Sequence, residues 1–143
     1  MTTSTPSVPT AARPALSTAN QVGLGLAGLL GLLDLASIPG GPMSASPDPG
    51  QPGPPSGILW FDAAMGVLTI AFVVLAWRTG SRAASRVVAA ARLLSVFTAW
   101  PAFFVDGIPA PVVALVAVAT LLTAAAIYLV LRRPAPAVEE AVR

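Results

Sequence analysis

Residues 58–82 read ILWFDAAMGVLTIAFVVLAWRTGSR. Ile58 to Trp77 is an apolar run of 20 residues carrying one charge, Asp62. A helix rising about 1.5 Å per residue over that length matches the roughly 30 Å hydrocarbon core of a bilayer. The run stops at Arg78-Thr79-Gly80-Ser81-Arg82, a tight basic turn. A third apolar run, Val87 to Val105, follows at once, so the two runs are expected to pack as an antiparallel pair.

The same pattern repeats on either side. Asp106-Gly107-Ile108-Pro109 makes a short turn, and Val112 to Leu131 is a fourth run ended by Arg132-Arg133-Pro134. Upstream, Val22 to Ile38 is the first run, 17 residues long and at the short end for a span. Helices are therefore expected at about 20–38, 58–77, 86–105 and 111–131. The fold class is all-α: a polytopic membrane protein built as an antiparallel four-helix transmembrane bundle. Residues 1–19 read as a Thr/Ser/Pro-rich flexible tail, and 134–143 as a short polar tail with Glu139 and Glu140. Residues 39–57, PGGPMSASPDPGQPGPPSG, are mostly Pro and Gly and read as an irregular connector. Ser56 is placed to cap the second helix.

The first run has a rival reading, because Arg13 followed by an apolar stretch resembles a signal peptide. Asp34 inside the run, Pro39 directly after it, and Met43 where a cleavage site needs a small residue favour an uncleaved helix.

Composition agrees. Hydrophobic residues make up 55% of the 143 and charged residues only 10%. A soluble domain carries about a quarter charged residues. The net charge is only +2, and every basic residue is an Arg beside or within an apolar run, except in the tails. That is no nucleic-acid footprint, and anionic lipid headgroups are the better counter-charge. With no Cys and no His, disulfides, thiolate chemistry and Cys/His metal sites are excluded. No cofactor is implied and no catalytic set is visible, so the chain reads as a non-enzyme.

The arginines set an expected orientation. Arg13, Arg78, Arg82, Arg86, Arg132, Arg133 and Arg143 fall on one side of a four-span arrangement, and residues 39–57 and 106–111 on the other hold no Arg or Lys. By the positive-inside rule both termini and the middle turn are cytoplasmic, in a plasma membrane.

Four ionisable groups lie within or at the ends of the runs: Asp34, Asp62, Arg92 and Asp106. Such groups are costly in lipid and mark candidate sites. Counting residues puts Asp34, Asp62 and Asp106 near one level at the outer side, an acidic vestibule able to hold a cation or carry a proton. Against this, each Asp is near enough to the interface for hydration, Asp62 favours its helix's positive end, and Asp106 suits a turn. Arg92 counts as too deep to meet Asp34. It is expected to snorkel to the headgroups beside Arg82 and Arg86. Pro101 is expected to bend the third helix, with Thr98 or a water taking up the freed carbonyl.

Helical spacing places Asn20, Gly23, Ala27, Gly31 and Asp34 on one stripe of the first helix. Asp62, Gly66, Thr69 and Val73 share a stripe of the second, and Ala110, Ala114, Ala117 and Ala124 one of the fourth. Small residues at such spacing let helices approach closely in lipid, so Gly23, Ala27, Gly31 and Gly66 are the candidate packing face.

The stretch AARLLSVFTAWPAFFVDGIPA (residues 90–110) and the Pro/Gly-rich loop resemble the uncharacterised small four-span membrane proteins of actinobacterial type. That resemblance implies architecture and a bacterial membrane and transfers no site residues. Two functions fit. One is a non-catalytic accessory subunit that meets another membrane protein through its small-residue stripes. The other is an oligomeric transporter or channel for a cation, proton or small solute that uses the carboxylates.

Overall fold

The computed structural model describes residues 16–38 and 54–132. The tails, most of the Pro/Gly-rich connector, the cleavage-site question at Ser44-Ala45, and Arg13, Arg133 and Arg143 lie outside the described residues. Among the described residues there are four α-helices: α1 Thr18–Ala36, α2 Ser56–Thr79, α3 Arg82–Ala99 and α4 Ala110–Leu131, with a 3-10 segment Trp100–Phe103 after α3. Each span is long and apolar enough to cross a membrane, α3 when its 3-10 extension is counted. The chain is all-α, four packed helices forming a bundle. Each helix packs on its chain neighbours, α1 packs on α4 to close the ring, and α1 and α3 touch lightly across the diagonal.

Local chemistry fixes the ends. Ser17 accepts the Asn20 N–H at 3.2 Å and caps α1. Ser81 does the same for α3 by accepting from Ala84 N–H at 3.3 Å. That cap starts α3 at Arg82, a turn before the expected 86, because two arginines hid a helical beginning. Ser56 is not a cap: α2 begins at Ser56 itself behind Pro55, with no side-chain cap bond. Between α2 and α3 the chain reverses at Gly80, whose φ of 64° lies in the left-handed region that glycine enters without strain. Gly80 N–H donates to the Ala76 carbonyl at 2.8 Å and closes the helix.

At the far end of α3, Pro101 does more than bend a continuing helix. The α-helix stops at Ala99 and tightens into the 3-10 turn Trp100–Phe103, with Phe104 N–H donating to Pro101 O at 3.0 Å. The tighter turn accommodates the missing proline N–H.

Helix contacts are made through small residues. Gly31 and Gly66 face each other: a Cβ on Gly66 would lie 2.7 Å from the Gly31 carbonyl oxygen, and one on Gly31 3.1 Å from that of Gly66. Gly23 lies against α4, where a Cβ would meet Leu129 Cβ and Val130 N at 2.7 Å. Leu24, Ala27, Val73, Ala76, Ala84, Val88, Ala126 and Val130 make the buried core. The buried residues of α4 are Thr123, Ala126 and Val130, and the expected alanine stripe Ala110, Ala114, Ala117 and Ala124 is not among them. Helix α4 is apolar on every side, so no polar face marks its orientation.

Candidate functional site

Three helices bring polar side chains to one cluster at the end of the bundle away from the Arg78–Arg82 turn. Asp34 lies in the last turn of α1, Asp62 in the second turn of α2, and Arg92, Ser95 and Thr98 on one face of α3. The α1–α2 glycine contact places Asp34 here: a Cβ on Gly66 would lie 3.1 Å from Asp34 Cβ. Antiparallel α3 then presents residues at i, i+3 and i+6 to both acids.

Arg92 is 4% exposed, and its Nη1 donates to Asp34 Oδ2 at 2.7 Å. This corrects both expectations for Arg92: it does not reach headgroups, and its depth does not keep it from Asp34. The depth count failed because it ran the third helix to 105. The α-helix ends at Ala99, which leaves Arg92 seven residues, about 10 Å, from that end. The long arginine stem covers the remaining step. Asp34 also gains a counter-charge near a helix C-terminus, where a carboxylate opposes the helix dipole.

Ser95 Oγ lies 3.1 Å from Asp62 Oδ1 and 3.4 Å from Asp34 Oδ2, so one hydroxyl bridges the two acids. Thr98 Oγ1 lies 2.6 Å from Asp62 Oδ1 and 2.6 Å from the Ser95 carbonyl oxygen. Thr98 therefore back-bonds to Ser95, not to the carbonyl freed by Pro101. The cluster contains two carboxyl groups and one guanidinium. Arg92 Nε and Thr69 Oγ1 are buried with no hydrogen-bond partner among the described residues.

Asp106 stands apart. It is exposed in the turn beyond the 3-10 segment, and no hydrogen bond joins it to Asp34 or Asp62. The expected vestibule of three acids is thus a closed network of two acids with Arg92, Ser95 and Thr98. The sequence reading passed over Ser95. Its signal was its spacing three residues from both Arg92 and Thr98.

A second polar latch holds the other end. Asn20 Nδ2 donates to the carbonyls of Leu129, Val130 and Arg132 at 2.9, 3.0 and 3.1 Å. Ser17 Oγ donates to Asn20 Oδ1 at 2.7 Å. The last carbonyls of α4, which have no partner within the helix, are satisfied from α1.

The glycine face was expected to meet a partner protein. It is instead used inside the bundle, with Gly31 and Gly66 against each other and Gly23 against α4. Arg82 and Arg86 are exposed at the opposite end from the acids.

Together these features define a multi-pass membrane protein with four candidate spans and an internal polar network. Compared with known proteins, the chain matches no family model, no curated protein and no solved structure.

Proposed function

We propose that this chain is a non-catalytic accessory or structural subunit of a bacterial plasma membrane, with both termini cytoplasmic. One observation carries the reading: the charged groups within the spans are turned onto each other, Arg92 onto Asp34 at 2.7 Å. A bundle whose intramembrane charge is committed to its own register is a scaffold. What it presents outward is apolar, notably Leu115, Leu121 and Tyr128 on α4 at 65–70% exposure. Such a surface suits lipid and the apolar flank of another membrane protein. The actinobacterial resemblance and the arginine distribution support the membrane and its orientation.

The alternative is a small oligomeric transporter or channel for a cation, proton or small solute. It is favoured by Asp62, which among the described residues accepts only from the Ser95 and Thr98 hydroxyls and has no guanidinium of its own. Extraction of the tagged chain in mild detergent and measurement of the intact mass separates the two. A complex containing other polypeptides supports the accessory role. A homo-oligomer alone overturns it and supports transport.

A further inference from the structure

The end of the bundle opposite the acids presents four guanidinium groups. Arg78 is in the last turn of α2, Arg82 opens α3, Arg86 lies one turn further on, and Arg132 directly follows α4. All four residues are exposed. The α2–α3 turn is held by its own hydroxyls. Thr79 Oγ1 donates to the Leu75 carbonyl at 2.7 Å and accepts the Ser81 N–H at 3.2 Å. Ser85 Oγ donates to the Ser81 carbonyl at 3.3 Å, and Ser81 Oγ caps α3. Those hydroxyls are turned onto backbone, so the guanidinium groups are what the turn offers to its surroundings.

The described residues hold no counter-charge at this end. Their one ion pair, Arg92–Asp34, lies toward the other end, and so do Asp62 and Asp106. Over the whole sequence the helix order puts seven arginines on this side, against Glu139 and Glu140. A guanidinium is a planar fork of donors that matches phosphate oxygens in pairs. The spans end here, so the level is that of lipid headgroups. Arg86, a turn inside, can extend its stem along apolar surface to the same level. Trp77 and Tyr128 are exposed beside Arg78 and one turn before Arg132, where amphipathic rings favour the membrane interface.

We propose that this end is a docking surface for anionic phospholipid headgroups, bound by Arg78, Arg82 and Arg86 around the α2–α3 turn and by Arg132 after α4. Charge complementarity selects the occupant. A lipid with net negative charge neutralises the cluster, whereas a zwitterionic lipid brings a cation of its own with each phosphate. Bound anionic lipid relieves the mutual repulsion of the arginines and stabilises the native bundle by mass action. The surface thus does more than orient the chain, since it holds particular lipids against the ends of α2, α3 and α4. The proposal rests on the bundle lying in a bilayer, and it holds for an accessory subunit and for a transporter alike.

The test places the full chain in phosphatidylcholine vesicles with a trace of spin-labelled phosphatidylglycerol or spin-labelled phosphatidylcholine. Electron paramagnetic resonance then measures the fraction of each label immobilised at the protein surface. The expected result is a larger immobile fraction for phosphatidylglycerol at low salt, shrinking toward that of phosphatidylcholine as salt screens the arginines. Arg78→Gln, Arg82→Gln and Arg86→Gln are each expected to lower the preference, by about fivefold at most. Arg13→Gln with Arg143→Gln is expected to leave it unchanged. The three replaced side chains are exposed, so the variants are expected to keep wild-type helix content, and the salt series needs no variant. Equal immobile fractions for the two lipids overturn the proposal and leave the bundle in the membrane. No immobile fraction of either lipid overturns the membrane reading with it. A preference that survives the three replacements together, or that follows Arg13 and Arg143, also overturns it.

Discussion

Arg92 and Asp34 show what a single pair decides inside a span. Either alone would be an uncompensated charge. Removing one partner of a buried ion pair costs about 3–5 kcal/mol, whereas replacing both by apolar residues of similar volume is often neutral. Arg92→Met is therefore expected to lower the melting temperature sharply in detergent and to reduce the folded yield. Asp34→Leu added to Arg92→Met is expected to recover most of the loss. A double variant no better than the single one would show that Arg92 acts by some route other than Asp34. The candidate site was half legible at this scale. The acids stood out as rare charges in apolar runs. Their partners did not, because Ser95 and Thr98 are ordinary residues in a helix until a neighbouring helix brings carboxylates to them. Depth counted along one chain misplaced Arg92, because the end of α3 is set by Pro101 and not by the end of the apolar run.

Helix pairing rests on close approach at particular glycines, and this gives a graded prediction. A methyl on Gly66 would meet the Gly31 carbonyl oxygen at 2.7 Å, a backbone atom that moves only with its helix. Gly66→Ala is expected to push α1 and α2 apart and cost about 1–3 kcal/mol, the usual range for overpacking. Gly25→Ala, whose nearest neighbour is the tip of Trp77 at 3.9 Å, is expected to be neutral in the same melt. Equal effects at both positions would mean that backbone approach does not control the pair. Asn20 is the counterpart at the other end: Asn20→Leu leaves the α4 carbonyls of Leu129 and Val130, and that of Arg132 just beyond, without their donor. It is expected to cost about 1–3 kcal/mol and to speed amide exchange in the last turn of α4. Helix faces were legible wherever a polar or glycine residue broke the apolar surface, as at Asn20, Gly31 and Gly66. They were illegible on α4, where alanine is as compatible with lipid as with a neighbouring helix. The start of α3 was hidden for a related reason. Arg82 and Arg86 look like loop residues by hydropathy, whereas the Ser81 cap makes them the first turns of a helix.

Across the whole molecule, alternating helices put the Arg78–Arg82 turn at one end of the bundle and the Phe104–Pro109 turn at the other. The first end is rich in arginine and the second has none, so a membrane whose inner leaflet is anionic orients them oppositely. Because the chain has no cysteine, a single introduced thiol reports its own location without background. Thr79 is exposed in the arginine turn, and Phe104 is 80% exposed just beyond the 3-10 segment. In intact cells, Phe104→Cys is expected to react with a membrane-impermeant maleimide. Thr79→Cys is expected to react only after lysis. The reverse pattern would overturn the orientation but keep the bundle, and reaction of both thiols from outside would overturn the alternation of α2 and α3 itself. The outcome also bears on the acids. They lie toward the Phe104 end, so the expected pattern places Asp34 and Asp62 nearer the outer surface.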